Sequence, residues 1–302
     1  MRLPLILALG LLVSCQAAAP ALPAPPAAAP NLDPDLLLIP AGAPLPVLQS
    51  LLTSDPNDEG SFKAAIAPFG GVVLHKSTNT IVLKAPKPPV GPRRVGIQVG
   101  HWKIGELPTE LAKLRGAIGA RWDDVHEVDI NLDVARRVAA LLTLKGIVVD
   151  ILPATVPEGY VADAFLALHT DTDGVGELSG FKLAHGPLRG PFEDRLVTAI
   201  REAYGKATGL GYDGKHITVD MTYYYPFNWG RFLHVTSAHT PAAILEMGYL
   251  SSDDDRALLT AHADDAAKAI ADGLLAFLSA TPRAEIFRDD LVVQLPAASS
   301  TP

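Results

Sequence analysis

The sequence contains a single cysteine, Cys15, among its 302 residues. A disulfide bond within the chain is therefore impossible, and a zinc site built on several thiolates is excluded. Basic residues form no stripe and do not alternate with aromatic residues, so we expect no nucleic-acid partner. The net charge of −8 comes from acidic residues that are spread along the chain, and it mainly favours solubility.

Several well-known catalytic motifs are also missing. The chain has no G-x-S-x-G elbow, no Walker loop and no H-E-x-x-H helix. His126 and Glu127 are adjacent, but no second histidine follows one helical turn later. A cysteine nucleophile is excluded because Cys15 lies at the end of an N-terminal apolar run, and a serine triad has no local signature.

The N-terminus has the pattern of an exported protein. One positive charge precedes an apolar run at residues 3–13, which is too short to span a bilayer and indicates a signal peptide. The following Leu-Val-Ser-Cys resembles the bacterial lipoprotein signal, in which the cysteine is lipidated and becomes the new N-terminus. We therefore expect residues 1–15 to be such a signal, with a lipid on Cys15 holding the protein at a membrane surface of the cell envelope, outside the cytoplasm. The alternative is an ordinary secretory signal cleaved near residues 17–19.

Composition divides the rest of the chain into four parts. Residues 16–46 are rich in alanine and proline, and we expect an extended tether. Residues 47–92 form a small N-terminal segment and linker, in which two apolar stretches within 72–83 predict a β-hairpin. We expect residues 93–281 to form the main folded domain, and residues 282–302 are a weakly patterned C-terminal tail.

Patterns typical of strands and helices alternate through the predicted domain. Strands are predicted at residues 94–99, 147–152, 164–169, 180–185 and 242–246, and helices at 127–145, 192–208, 253–258 and 263–278. This alternation predicts an α/β fold, with a twisted, mostly parallel sheet flanked by helices on both faces. Residues 213–229 are aperiodic and rich in tyrosine, and they predict a long functional loop. We expect a monomer.

Three of the predicted strands lead to a chemically capable residue, namely His101, His169 or Glu246. Because ligands and catalytic groups gather beyond the carboxyl ends of parallel strands, we expect these side chains to share one crevice. Glu127 joins them at the start of the clearest helix, where a carboxylate is favoured by the helix dipole. Taken singly, each residue has a simpler explanation, such as a surface histidine or a helix-start carboxylate.

Two histidines and a glutamate match the ligand set of catalytic zinc, which uses three nitrogen or oxygen ligands and leaves a fourth position for water. We predict that His101, Glu127 and His169 bind a zinc ion, Zn2+. Glu246 lies within an apolar run, and we expect it to take a proton from the attacking water and pass it to a leaving amine. The alternatives for the second ligand are Glu106 and Glu110.

Four motifs in this order resemble the zinc-dependent N-acetylmuramoyl-L-alanine amidases of bacterial cell-wall turnover. They are Q-V-G-H-W-K at 98–103, E-V-D-I-N-L at 127–132, A-D-A-F-L-A-L-H-T-D at 162–171 and P-A-A-I-L-E-M-G-Y-L-S-S at 241–252. The resemblance implies zinc bound by His101, Glu127 and His169, with Glu246 as the catalytic residue. It also implies peptidoglycan as the substrate, cleaved at the amide between N-acetylmuramic acid and L-alanine.

The chain departs from the family pattern at several positions. Gln98 stands where the family has aspartate, which removes a carboxylate expected to orient the first histidine. Trp102 replaces a glycine, Asp171 and Ser252 replace asparagines, and the stretch before the helix glutamate is longer than usual. Two alternatives therefore stay open, namely a degenerate amidase fold that binds or regulates, and a zinc hydrolase of another cell-wall amide.

Overall fold

The computed structural model describes the chain in six stretches, of which the side chains are described from residue 85 to residue 291. These stretches are residues 36–40, 71–75, 80–83, 85–186, 191–228 and 232–294. The predicted signal peptide at 1–15, Cys15 and most of the predicted tether at 16–46 lie outside them, so the lipid anchor stays a prediction. Within the described part, no helix combines the length and the apolar character needed to cross a bilayer.

The secondary structure follows the predicted alternation. The strands are β1 Leu36–Pro40, β2 Gly71–His75, β3 Thr80–Leu83, β4 Arg94–Val99, β5 Arg121–Trp122, β6 Val125–His126, β7 Val148–Leu152, β8 Ala164–Asp171, β9 Lys182–Ala184, β10 Ala242–Tyr249 and β11 Leu291–Gln294. The helices are α1 Glu127–Thr143, α2 Glu193–Thr208, α3 Val219–Thr222, α4 Asp253–Thr260, α5 Ala263–Ala280 and α6 Arg283–Ile286. Short 3-10 helices cover Ile104–Glu106, Thr109–Leu114, Gly214–His216 and Tyr225–Phe227.

Five strands form the central sheet, in the order β7-β4-β8-β10-β9. The first four run parallel to their neighbours, and β9 runs antiparallel to β10, so the predicted mostly parallel sheet is confirmed. The inner strands β4 and β8 are buried along almost their whole length. Burial on both faces explains why their sequences are continuous apolar runs rather than alternating ones.

The two faces of this sheet are covered differently. One face, which includes Val95 and Leu245, packs against α1, α2 and α5 in the main hydrophobic core. The opposite face, which includes Phe165 and Ile244, packs against Met221 of the short helix α3 and against the 3-10 turn that follows it. The predicted helical cover is present on both faces, but the long helices lie on one face only.

A second sheet is formed by strands from the two ends of the described chain. Its order is β1-β2-β3-β11, and all of its pairings are antiparallel. Strands β2 and β3 form the predicted hairpin. Strand β1 lies within the predicted tether, at an apolar L-L-L-I sequence, and β11 lies within the predicted tail. The tail is therefore less peripheral than its weak pattern indicated, since it supplies helix α6 and a paired strand.

A buried carboxylate ties this tail to the start of the central sheet. Asp163 is 0% exposed, forms salt bridges of 2.7 Å with Arg93 and 2.6 Å with Arg283, and accepts a hydrogen bond from the backbone amide of Arg94. Arg283 also donates to three carbonyl oxygens within residues 89–92. Because a buried charge is tolerated only when it is paired, this cluster fixes α6 against the amino ends of β4 and β8.

We predict that Asp163→Asn lowers the free energy of unfolding by about 3 kcal/mol, because it leaves two guanidinium groups without their counter-charge. Asp264→Asn is the matched control, since Asp264 pairs with Arg137 while 84% exposed, and its effect should stay below about 1 kcal/mol. Chemical denaturation of the variants measures both values. Equal losses in the two variants would contradict a special role for the buried cluster.

Candidate metal centre

His101 lies just beyond the carboxyl end of β4, at the edge of the sheet. Gly100 still belongs to the ladder, because its amide donates to the carbonyl of Leu168 at 2.9 Å. The chain turns at His101, whose φ of 62° lies in the left-handed region. A Cβ atom on Gly100 would lie 2.4 Å from Cε1 of His169. Glycine is therefore required here for the close approach of the second histidine.

His101 is oriented by a backbone carbonyl from the long stretch before α1. Its Nδ1 lies 2.5 Å from the carbonyl oxygen of Ala117, and because that oxygen can only accept, Nδ1 carries the proton. Its Nε2 then faces Oε1 of Glu127 at 3.3 Å. Burial disfavours the protonated ring, but the hydrogen bond and charge of Glu127 outweigh burial and raise the pKa of His101.

Glu127 is buried at the first position of α1 and is held from several sides. Its Oε2 accepts from the amide of Ala120 at 2.6 Å, and its Oε1 accepts from the amide of Thr170 and from Nδ2 of Asn131, both at 3.2 Å. Burial alone would raise the pKa of Glu127, but its interactions with His101 and His169 outweigh burial and hold the pKa well below its usual range. The carboxylate is therefore held in its ionised form.

His169, on β8, completes the group. Its Nδ1 lies 2.9 Å from Oε1 of Glu127, and its Nε2 lies 2.8 Å from the hydroxyl of Tyr224. Its ring meets that of His101 edge-on, with ring centroids 4.9 Å apart. One ligand atom from each of His101, Glu127 and His169 lies within 4.8 Å of the other two. The structure thus brings together the three residues predicted as metal ligands.

The two alternative ligands lie elsewhere. The Glu110 carboxylate accepts hydrogen bonds from the amides of Leu233 and His234 and contacts Nδ1 of His234 at 2.8 Å. Glu106 is exposed, and its carboxylate lies 3.8 Å from Nζ of Lys103. Neither belongs to the group of potential ligands found among the described residues.

Glu246 lies beside this group, on β10. It is the register partner of His169 on the neighbouring parallel strand. The strand does not end at Glu246 as predicted, since it continues to Tyr249 past a register shift between the two residues. The Oε2 atom of Glu246 is buried and has no hydrogen-bond partner. Burying a carboxylate oxygen without a hydrogen bond destabilises the fold, so such a group usually has a functional role.

The charges around Glu246 set its protonation. Burial raises the pKa of Glu246 well above the ordinary carboxyl value, the charges of Glu127 and Asp171 raise it further, and Lys182 opposes them. Lys182 is 1% exposed on β9, where it is the register partner of Glu246. Its ammonium group pairs with Asp171 and lies 4.8 Å from the ring centroid of Tyr249. A buried cation is thus placed next to the unpartnered carboxylate.

The residues that depart from the family pattern have visible roles. Nε2 of Gln98 donates to the carbonyl of Ala154 and to the Tyr225 hydroxyl, and its Oε1 accepts from the Tyr224 hydroxyl at 3.0 Å. Gln98 therefore supports the side of the site that carries the second histidine, whereas the first is oriented by a backbone carbonyl. Trp102 is half-buried and packs against the main core.

Ser252 caps helix α4, since its hydroxyl accepts from the amide of Asp255 at 3.3 Å. Asp171 holds Lys182, as described above. The changes at these two positions therefore leave the three potential ligands untouched.

Sequence reasoning missed the groups that hold the histidines in place. Tyr224 comes from the segment predicted as a long loop, which folds instead into short helical turns. Its run of consecutive tyrosines was a visible signal. Ala117 and Gly119 come from the long stretch before α1, and a Cβ atom on Gly119 would lie 2.9 Å from both His101 and Glu127. A carbonyl and a missing side chain give no comparable signal.

The donor set fits a zinc ion. Two imidazole nitrogens and one carboxylate are typical of catalytic zinc, whereas magnesium and calcium prefer sites made only of oxygen. Most of the shell is buried, and Glu246, whose Oε2 has no hydrogen-bond partner, is the register partner of His169. The arrangement can therefore bind a divalent cation and place one carboxylate that is not a ligand beside it.

Comparison with known proteins identifies one family. The sequence model of the N-acetylmuramoyl-L-alanine amidases matches residues 95–276, which is more than half of the chain. No curated protein matches the chain. Among solved structures, the catalytic domain of CwlV, an amidase of this name from Bacillus (Paenibacillus) polymyxa var. colistinus, matches with 22% identity and a TM-score of 0.43, covering 63% of this chain and 99% of that one.

Two further amidases of the same name match similarly. The protein of Nostoc punctiforme has 20% identity and a TM-score of 0.45, over 63% of this chain and 99% of its own. The protein of Mycobacterium smegmatis has 19% identity and a TM-score of 0.47, over 64% of this chain and 99% of its own.

We predict that Gly119→Ala weakens zinc binding by at least about tenfold, the lower end expected for disturbing the surroundings of a metal ligand, because the added methyl group displaces His101 or Glu127. Gly146→Ala is the matched control, since Gly146 has a similar positive φ of 77° but no atom within 4 Å of the added Cβ. Both variants should lose about 1–2 kcal/mol of stability from the left-handed backbone. Competition with a chromophoric chelator measures zinc affinity, and equal affinities in the two variants would contradict the prediction.

Proposed function

The chain belongs to the N-acetylmuramoyl-L-alanine amidase family, and we propose that it is a zinc-dependent enzyme that cleaves the amide between N-acetylmuramic acid and L-alanine in peptidoglycan. One observation carries the metal dependence. Three donor atoms, from His101, Glu127 and His169, lie within 4.8 Å of one another. Glu246, the register partner of His169 on the neighbouring strand, contributes a buried carboxylate oxygen that has no hydrogen-bond partner.

The three ligands would serve the metal in different ways. A zinc ion held by them would acidify a water molecule and polarise the carbonyl of the scissile amide. Glu127 supplies the single negative charge of the ligand set, and its backbone donors keep that charge in place. His101 is fixed by the Ala117 carbonyl, so its ring needs little reorganisation on binding the ion.

Glu246 is suited to the proton transfers of the reaction. Burial and the charges of Glu127 and Asp171 raise its pKa above the ordinary carboxyl value, which is how enzymes adjust a carboxyl group for general acid–base work. As a carboxylate it accepts a proton from the attacking water. Once protonated, it donates that proton to the amine of L-alanine as the amide bond breaks.

We predict that Glu246→Gln lowers the rate of peptidoglycan hydrolysis by at least about a hundredfold, which is the contribution typical of a general acid–base group. The variant should still bind zinc, because Glu246 is not among the three ligands. Mass spectrometry of digested peptidoglycan measures the reaction, and the expected products of the wild type are free stem peptides that begin with L-alanine.

The control variant is His101→Ala, which should lose both zinc and hydrolysis. Full activity of zinc-free protein, or products cleaved at a different amide, would refute the proposed function. Retained activity in Glu246→Gln would refute the role given to Glu246 alone.

We also predict a pH effect of Lys182. Glu246 must be ionised to accept a proton, so activity falls as the pH drops through its raised pKa. Lys182→Met removes the cation that opposes this rise, so the acidic limb of the profile of kcat/KM against pH should move to higher pH. Lys268→Met is the control, since Lys268 is 68% exposed and pairs with Asp272. An unchanged acidic limb in Lys182→Met would contradict the electrostatic role of Lys182.

A further inference from the structure

We infer that Gln98 and Tyr224 are positioning residues that fix the tautomer of His169, with the proton on Nε2 and with Nδ1 turned toward the metal. The inference rests on the proposed function in one respect, namely that His169 serves as a metal ligand. It deepens that function by naming the nitrogen that binds and the residues that select it. The tautomer follows from where each proton lies along one series of hydrogen bonds.

The series of hydrogen bonds begins at the backbone carbonyl of Ala154. The carbonyl oxygen of Ala154 can only accept, and it lies 3.1 Å from the terminal amide of Gln98 and 2.5 Å from the Tyr225 hydroxyl. The end of Gln98 that faces Ala154 must therefore be the NH2 group, because the reversed amide would bring two oxygens together without a proton. Gln98 is 0% exposed, so water cannot relieve that contact. Its Oε1 consequently faces Tyr224.

The Tyr224 hydroxyl has a single proton to donate. Oε1 of Gln98 can only accept, and it lies 3.0 Å from the Tyr224 oxygen, so the hydroxyl donates to Gln98. The same oxygen lies 2.8 Å from Nε2 of His169. With its own proton already used, Tyr224 can only accept there. Nε2 of His169 must therefore be the donor and carry the ring proton.

The remaining nitrogen of His169 is then free for a metal. When the ring is neutral, Nδ1 holds a lone pair, and it points to the side where Oε1 of Glu127 lies at 2.9 Å. Glu127 does not need a proton from this ring, because the amides of Ala120 and Thr170 and the side chain of Asn131 already donate to it. Nδ1 of His169 and Oε1 of Glu127 then face each other with lone pairs, and a cation between them would bind both.

The two histidines thus present different nitrogens to the same point. His101 donates from Nδ1 to Ala117 and presents Nε2, whereas His169 donates from Nε2 to Tyr224 and presents Nδ1. In each ring, one nitrogen donates its proton to a hydrogen-bond acceptor, and this leaves the other nitrogen with a lone pair for the metal. Such outer partners orient the ring and raise its basicity as a ligand.

Packing holds the selecting residues in place. Tyr225 is buried in a small cluster with Leu107 and Leu111, which belong to the stretch between His101 and Glu127, and Tyr224 packs against this cluster. The position of the Tyr224 hydroxyl is therefore set by a core rather than by a surface loop. The stretch that carries Leu107 contributes to both histidines, through the Ala117 carbonyl and through this cluster.

The test compares three variants by the proton position on His169 and by zinc affinity. Long-range proton–nitrogen NMR at a pH where the ring is neutral should show the proton of wild-type His169 on Nε2, both without metal and with zinc bound. Tyr224→Phe removes the acceptor and should raise the zinc Kd by roughly 10–100-fold. Gln98→Met frees the Tyr224 proton for His169, so the ring proton should move to Nδ1. Tyr225→Phe is the matched control, since Gln98 keeps its bond to Ala154, and it should retain the wild-type tautomer.

The proton on Nδ1 in the neutral wild-type ring would overturn the inference. An unchanged tautomer in Gln98→Met, or wild-type zinc affinity in Tyr224→Phe, would do the same. Neither measurement uses peptidoglycan, so the two proposals fail separately. Absence of released stem peptides alongside the expected tautomer and zinc affinity would refute the proposed function and leave this inference standing.

Discussion

The ionised carboxylate of Glu127 is the interaction on which the candidate site depends. It is buried, and it accepts hydrogen bonds from two backbone amides that belong to different parts of the chain. It also lies between the two histidines, which come from the ends of neighbouring parallel strands. A negative charge in such a place requires a nearby cation, and a divalent ion bound by this carboxylate and the two imidazoles would supply it. The sheet, helix α1 and the preceding stretch meet at this one group.

Much of the arrangement could be predicted from the sequence because parallel strands bring their carboxyl ends together. His169 and Glu246 each follow a continuous apolar run, and the runs are neighbours in the sheet with these two residues in register. Their proximity thus follows from pattern and topology. The bulge after Glu246 could not be predicted, since a register shift depends on the partner strand rather than on local sequence.

The groups that orient the histidines could not be predicted from the sequence, and the reason is physical. The Ala117 carbonyl acts through the path of the backbone, and any residue at that position would offer the same oxygen. Tyr224 reaches His169 because its segment packs against Leu107 and Leu111, a contact between distant parts of the chain. Strand β11 poses the same problem, since its pairing with β3 joins residues about two hundred positions apart and no local pattern encodes that register.

The cluster around Asp163 has a consequence for how the domain connects to the rest of the chain. Asp163 immediately precedes β8 and binds the first residue of β4, so it lies at the amino ends of the parallel strands, opposite the histidines. Arg283 draws residues 89–92 and helix α6 to that same end. The segment that leads into β4 and the segment that follows α5 are thus both held at the amino ends of the parallel strands. The edge where the three potential ligands converge is therefore at the far end of the sheet from these connections.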